Sequence, residues 1–301
     1  MNTIGFEGRV AVITGAGGGL GRAHALLLAA RGAAVVVNDL GGSLNGVGGD
    51  QSAAQKVVAE ITAAGGRALA NGDDIATPEG AQRLVDAAVQ AFGRVDILIN
   101  NAGILRDKTL IKMEPADFET VVRVHLLGSA WCSRAAWPVM QKQQYGRIVM
   151  TTSAAGLYGN FGQSNYGAAK LGIVGLMNTL KHEGAKFGIR VNTVAPVAIT
   201  RMTEDLPFSR MLTEALPERV AAGVAYLASE GCELTGQILS AGAGYCSTVQ
   251  LVEGRGVHAP AGEVTPEFVA EHWAEIADDT KARGYDSAGD ALMAAFAPPR
   301  R

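Results

Sequence analysis

The sequence predicts an α/β fold. Strand-like apolar runs alternate along the chain with helical patterns, and the first run leads through a glycine-rich turn straight into a helix. The length of 301 residues suits one large α/β domain or two small ones, and 48% hydrophobic residues promise a sizeable core. A net charge of −3 argues against a general role on nucleic acid or at a membrane surface, and no apolar run is long enough to span a membrane. The chain passes from Met1 into a strand by Arg9 without a basic-then-apolar leader. Cys132, Cys232 and Cys246 lie far apart and fit no metal spacing, which reads as reduced thiols of a cytoplasmic protein without a metal site.

The first strand, 9–14, runs into Thr14-Gly15-Ala16-Gly17-Gly18-Gly19-Leu20-Gly21 and then into a helix through Leu26, Leu27 and Leu28. Such glycines let a backbone approach a pyrophosphate, which sits where the free N–H groups and dipole of the helix N-terminus favour an anion. The second strand, 33–37, ends in Asn38-Asp39-Leu40. An acid here accepts from the ribose hydroxyls of adenosine and repels a 2′-phosphate, so NAD rather than NADP is the expected cofactor. The alternative is that Asp39 only caps a loop, and Arg22 is a contrary sign because a nearby arginine suits a phosphate. The loop 41–50, with five glycines, reads as a surface insertion, since no strand leads into its later glycines. After a helix at 52–64 and a short strand near Ala68 come Asp73, Asp74 and Ile75. Asp74 is placed on the adenine amino group with Ile75 flanking the ring; alternatively, both acids are turn or cap residues before Pro78. A helix at 79–92 and a strand at 95–99 lead into Asn100-Asn101-Ala102-Gly103.

A strand at 146–149 carries the chain into 150–170, followed by a helical pattern through Leu171, Val174, Leu176 and Leu180. Ser153 falls at the strand end, and Tyr166 and Lys170 lie one helical turn apart on one face. A free phenol titrates near a pKa of about 10 and is a poor acid/base at neutrality. A lysine cation beside it favours phenolate, and a serine hydroxyl can hold a carbonyl or alcohol oxygen next to it. Taken alone, the pair also reads as a solvated lysine and a packed tyrosine.

Taken in order and spacing, Thr14-Gly15-x-x-x-Gly19-Leu20-Gly21, Asn100-Asn101-Ala102-Gly103, Ser153 and Tyr166-x-x-x-Lys170 resemble the short-chain dehydrogenase/reductase family over about 6–245. The resemblance implies a single Rossmann-like, doubly wound, seven-stranded parallel sheet with helices on both faces. It implies Tyr166 as acid/base, Lys170 lowering the tyrosine pKa and holding the nicotinamide ribose, and Ser153 orienting the substrate oxygen. It places Leu40, Asn101, Ala102 and Gly103 at the adenosine side, and Pro196, Ile199 and Thr200 near the nicotinamide. The activity it implies is reversible hydride transfer between the nicotinamide and a carbon bearing oxygen. Two positions depart from the family. His125 stands where many members have a catalytic asparagine; it either keeps a proton relay through its backbone, adds a titrating group, or is a buried histidine bonded to a carbonyl. Val197 stands where the family has glycine after Pro196. The segment 203–217 resembles a substrate-covering segment. A helix at 218–228 and a strand at 237–240 finish the sheet.

Finer features are similar to the (3R)-hydroxyacyl-CoA dehydrogenase unit of peroxisomal multifunctional enzymes of type 2 and its stand-alone bacterial relatives. They are Asn38-Asp39-Leu40-Gly41-Gly42 with the glycine loop, 101–107, Val124-His125-Leu126, 156–162 and Gly242-Ala243-Gly244-Tyr245. That implies NAD-dependent oxidation of a (3R)-3-hydroxyacyl-CoA in β-oxidation of fatty acyl or steroid side chains. The tail, 251–301, resembles that unit's extension. A helix capped by Thr265 and Pro266 shows Val269, Trp273 and Ile276 on one face, a second helix covers 288–296, and the tail is expected to pack on the core or a neighbouring subunit. The end Pro298-Pro299-Arg300-Arg301 is no peroxisomal signal, which favours a cytoplasmic setting. Competing readings are a steroid (17β-hydroxy type) or other secondary-alcohol dehydrogenase, and a non-catalytic NAD-binding regulator. Long helices at 115–142 and 164–187 are expected to build a homodimer or homotetramer, as in the family.

Overall fold

The computed structural model describes residues 3–43, 45–46, 48–50, 52–198, 215–259 and 264–296. The chain divides into two compact units, Met1–Thr248 and Val249–Arg301. The sheet comprises β1 (Val10–Thr14), β2 (Ala34–Asn38), β3 (Arg67–Asn71), β4 (Ile97–Asn100), β5 (Gly146–Thr151), β6 (Ile189–Val197), β7 (Ile238–Gly242) and β8 (Tyr245–Val249), in the order β3-β2-β1-β4-β5-β6-β7-β8. The pairings from β3 through to β7 are all parallel. β1, β2, β4 and β5 are buried along their whole length, which is why they read as unbroken apolar runs: a parallel sheet is covered on both faces.

The covering helices are α1 (Gly19–Ala30), α2 (Ser52–Ala63), α3 (Pro78–Phe92), α4 (Pro115–Val122), α5 (Gly128–Gln143), α6 (Ala154–Tyr158), α7 (Ser164–Gly184) and α8 (Pro217–Ala228). Ile13, Val35, Ile97 and Val149 of the sheet share one core with Leu28 of α1 and Val224 of α8. Burying each such side chain contributes about 1.5–3 kcal/mol. α1 packs on α8 and α2, α3 on α5, and α4 on α7. Strand order reverses between β1 and β4, which opens a crevice beyond their carboxyl ends at Thr14 and Asn100.

Three details differ from the sequence reading. The long helix expected at 115–142 contains a π-helical turn at Arg123–Leu127, too short a break in the 3.6-residue period to be read from the pattern. An eighth strand extends the expected seven. β8 follows a tight turn at Ala243 and Gly244, both at positive φ, and Tyr245 is 62% exposed, so the segment carries no core-facing signal. β6 continues to Val197, which pairs with Gly242. A Cβ on Gly242 would stand 1.8 Å from the Val197 carbonyl, so the glycine needed here lies across the ladder rather than after Pro196.

The second unit holds α9 (Pro266–Glu271), α10 (Trp273–Ile276) and α11 (Ala288–Phe296). Thr265 Oγ1 caps α9 by accepting from Phe268 N–H at 3.1 Å. The single helix expected through Ile276 breaks at His272, whose ring stacks on Phe268. Among the described residues, no helix is long and apolar enough to cross a membrane.

Candidate active site

The first turn of α1 has neither a side-chain cap nor an acidic residue, so its N–H groups and dipole are free for an anion. Gly15 lies at φ +62, and a Cβ there would stand 2.7 Å from Ala102 Cα; β1 and β4 approach this closely only through glycine. Asn101 braces the junction. Its Nδ2 donates to the Thr14 and Gly15 carbonyls, both at 3.0 Å, while Thr14 Oγ1 accepts from the N–H groups of Asn101 and Ala102. A cavity of about 400 Å³ fills the crevice, with Gly15, Gly18, Gly19 and Leu20 on one wall and Asn101, Ala102 and Gly103 on another. A Cβ on Gly18 would meet nothing within 4 Å, so the turn presents bare backbone to this space. Gly17 and Gly21 lie behind the lining: Gly17 bonds Asp39, and Gly21 is packed against the Gly15 carbonyl. An uncapped helix end with an open glycine cradle fits the pyrophosphate of a dinucleotide.

Asp39 both caps and lines. Its Oδ2 accepts from Gly17 N–H at 2.8 Å and its Oδ1 from Gly41 N–H at 2.7 Å, while Asp39 and Leu40 form cavity wall. A carboxylate has about four acceptor positions, so two remain for ribose hydroxyls. Arg22 is paired with Glu60 of α2 and is absent from the lining, which removes the contrary sign. Asp74 Oδ1 accepts from Ala76 N–H at 2.9 Å, a turn-forming bond, yet Asp74 and Ile75 also face the cavity. Asp73 lines it too, but its carboxylate takes Arg83 Nε and Asn71 Nδ2. The described residues of loop 41–50 lie mostly at the surface, as the sequence reading has it, and Gly42, Ser43 and Gly46 also supply cavity wall.

At the other end of the cavity stand Thr151, Tyr166, Lys170 and Pro196. β5 delivers Ser153, which begins α6 and accepts from Ala155 N–H at 3.1 Å. α7 delivers Tyr166 and Lys170, and it is stitched to the end of β5. Lys170 Nζ donates to the Thr151 carbonyl at 2.6 Å, and Thr152 Oγ1 to the Lys170 carbonyl at 2.7 Å. Burial pushes Lys170 down to about 7. Tyr166 is held above its ordinary range, first by burial; a hydrogen bond with Ser153 opposes this and the Asp107 charge adds to it. Burial, rather than the expected lowering by Lys170, therefore governs the phenol. The lysine Nζ lies 5.5 Å from the tyrosine ring centre.

His125 sits in the π-turn, buried, with its ring edge-on to Tyr166 at 5.2 Å between centroids. Its Nε2 lies 3.0 Å from the Ile104 nitrogen and 2.8 Å from the Ile104 oxygen, so it bonds that backbone in either tautomer. A Cβ on Gly103 would stand 2.3 Å from His125 Cε1. Burial, and then the Lys170 charge, keep the imidazole far below its ordinary pKa and hence neutral. The carbonyl-bonded reading of the side chain fits this geometry and the titrating one does not; the backbone carbonyl meanwhile accepts from Ser129 Oγ at 2.7 Å.

Sequence reasoning passed over several lining residues: Thr120, Arg123 and Val124, which precede His125, and Ile104 and Ala198. Asp107, which acts on Tyr166 and accepts from Gln163 Nε2 at 2.6 Å, lay inside a quoted motif but was assigned no role. Ile199, Thr200 and most of 203–217 fall outside the described residues.

A model of the family described as "short chain dehydrogenase" matches residues 9–208. Over 280 residues, 92% of this chain and 38% of the relative, the sequence is 51% identical to a peroxisomal multifunctional enzyme type 2 of Mus musculus. It is 49% identical to a short-chain type dehydrogenase/reductase of Mycobacterium tuberculosis over 274 residues, 91% of this chain and 96% of that one. The solved full-length peroxisomal multifunctional enzyme type 2 of Drosophila melanogaster matches with a TM-score of 0.82 and 39% identity, over 97% of this chain and 49% of that chain. The chain thus spans less than half the length of these multifunctional relatives.

Proposed function

The chain belongs to the short chain dehydrogenase family and is an enzyme acting on CH–OH groups; on that premise we propose that it reversibly oxidises a (3R)-3-hydroxyacyl-CoA to the 3-oxoacyl thioester with NAD. The observation that carries the chemistry is that Tyr166 and Lys170 line one end of a cavity walled by Asp39 at the other, with Ser153 just behind the lining in hydrogen-bond reach of the Tyr166 phenol. The carboxylate supports NAD over NADP, because a 2′-phosphate would meet its charge. The thioester class is supported by similarity to the multifunctional enzymes over more residues than the first unit contains. We also place the protein in the cytoplasm as a homo-oligomer; sedimentation showing only monomer refutes the latter.

When bound, the nicotinamide supplies the hydride acceptor. The protein handles the proton. Ser153 Oγ orients the substrate oxygen beside the Tyr166 phenol, which takes the hydroxyl proton as the carbinol carbon is oxidised. Burial holds the phenol protonated at rest, so its own proton first passes to the neutral Lys170 amine and on to solvent, and the phenolate left behind takes the substrate proton. Lys170, pushed down to about 7, exchanges protons near neutrality and holds ribose.

The test is NADH oxidation by the purified protein with acetoacetyl-CoA and a longer 3-oxoacyl-CoA, alongside a free 17-oxosteroid and NADPH controls. Turnover of the thioesters with NADH is expected. Turnover confined to the free steroid replaces the thioester reading with the steroid one, and a preference for NADPH overturns the role given to Asp39.

A further inference from the structure

In the loop 41–50, between β2 and α2, Gly42, Ser43 and Gly46 line the cavity. The base of the loop closes on itself. Asp50 N–H donates to the Leu40 carbonyl at 3.1 Å, and a Cβ on Gly41, at φ +73, would collide with the Asp50 backbone. Its tip is held from far away in sequence. Arg106, 61 residues on, donates Nε–H to the Asn45 carbonyl at 3.0 Å. Ile104 packs beneath Gly46, where a Cβ would stand 3.2 Å from it. The other side of the same guanidinium grips α4, donating from Nη1 to Asp117 Oδ1 at 3.0 Å and to Thr120 Oγ1 at 3.4 Å. Lys108 supports Asp117 from a second direction at 3.1 Å. Thr120 is itself a lining residue. One side chain thus spans two lips of the cavity.

We propose that Arg106 is a positioning residue, a clasp that ties loop 41–50 to α4 across the cavity and sets how fast a bound dinucleotide leaves. The role in release rests on the dinucleotide reading of the cavity; the clasp itself does not. The half-buried ion pair with Asp117 fixes the guanidinium to α4 but does not by itself hold the loop. The bond to a loop carbonyl is different: it joins the loop to α4 across the cavity mouth, and a cofactor beneath the loop escapes when that tie opens. Lysine cannot replace the guanidinium, because a single ammonium does not reproduce a fork that grips the carbonyl and the carboxylate together. Losing one charge-assisted hydrogen bond raises the open population by roughly tenfold or more.

The test compares wild type with Arg106→Lys, Arg106→Gln and Asp117→Asn in two measurements. Amide hydrogen exchange on the protein alone is expected to quicken about tenfold within 41–50 in both Arg106 variants, and less in Asp117→Asn, while β1 and β4 keep their protection. Displacement of bound NADH, followed by fluorescence in stopped flow, is expected to quicken by a similar factor. Unchanged exchange at 41–50 overturns the clasp, and so does a uniform loss of protection across the sheet, the mark of a merely structural arginine. Faster exchange with unchanged NADH release overturns the role in release. If wild type binds neither NADH nor NADPH, the dinucleotide reading falls and the exchange measurement still decides the clasp. Should Arg106→Gln fail to fold, Arg106→Lys and Asp117→Asn carry the comparison.

Discussion

His24 lies in α1, buried, and neither ring nitrogen has a hydrogen-bond partner among the described residues. Burial pushes its pKa from 6.5 down to about 4. The unfolded chain therefore binds a proton that the folded chain refuses. Stability is intact above pH about 6.5 and is lost as the pH falls from there toward about 4. The loss from this one group is about 3 kcal/mol once both pKa values are passed. His24→Met keeps the volume and the helix propensity while removing the titrating ring. At pH 7.5 the variant should already gain about 1–3 kcal/mol, because two unpaired buried nitrogens disappear. Urea unfolding of both proteins between pH 7.5 and 4 should then show the gap widening by about 3 kcal/mol. His125, also buried and neutral, titrates in both proteins and cancels in the difference. Parallel profiles would refute the argument, since they would mean that the folded protein accommodates the His24 cation.

Tyr166→Phe should lose turnover by roughly a hundredfold or more while binding NADH as wild type does, measured by steady-state rates and fluorescence titration. Asp39→Asn should lower the preference for NADH over NADPH by about tenfold in dissociation constants, because it removes the charge facing a 2′-phosphate. Gly103→Ala forces a methyl into the His125 ring and should cost about 1–3 kcal/mol in unfolding free energy. His125→Asn should leave the pH dependence of kcat/KM unaltered between pH 5 and 8, because the imidazole it replaces does not titrate there; disappearance of an acid limb in the variant would contradict this.

The sequence made the reacting groups legible because their spacing and their elements were both visible. Tyr166 and Lys170 share a face of a helix whose period is clear, and Ser153 ends a buried strand. Asp39 was found by its place after β2, although its bonds to Gly17 and Gly41 show that capping and lining are one role rather than two rivals. What stayed hidden has a common cause. The Arg106–Asn45 contact joins a side chain to a backbone carbonyl, which has no residue-type signature. The same holds for His125, whose partner is the Ile104 backbone. That the surface loop 41–50 also borders the cavity was hidden because such proximity comes from what packs around it, not from a strand leading in. β8 is mostly exposed, so the alternation that betrays a half-buried strand is missing.

The brace at Asn101 also orders events in time. It reaches back 87 residues to Thr14 and 86 to Gly15. As the chain leaves the ribosome N-terminus first, β1, β2 and β3 can pair early and Asn38 and Asp39 can already hold Ala16 and Gly17, but the Thr14 and Gly15 carbonyls stay unbraced until β4 has emerged and slotted against β1. Closing that long loop is slow compared with forming the local helices around it. A ligand seated between the residues that follow β1 and those that follow β4 would favour the closed seam, and its capture by a nascent chain would report that the seam has formed.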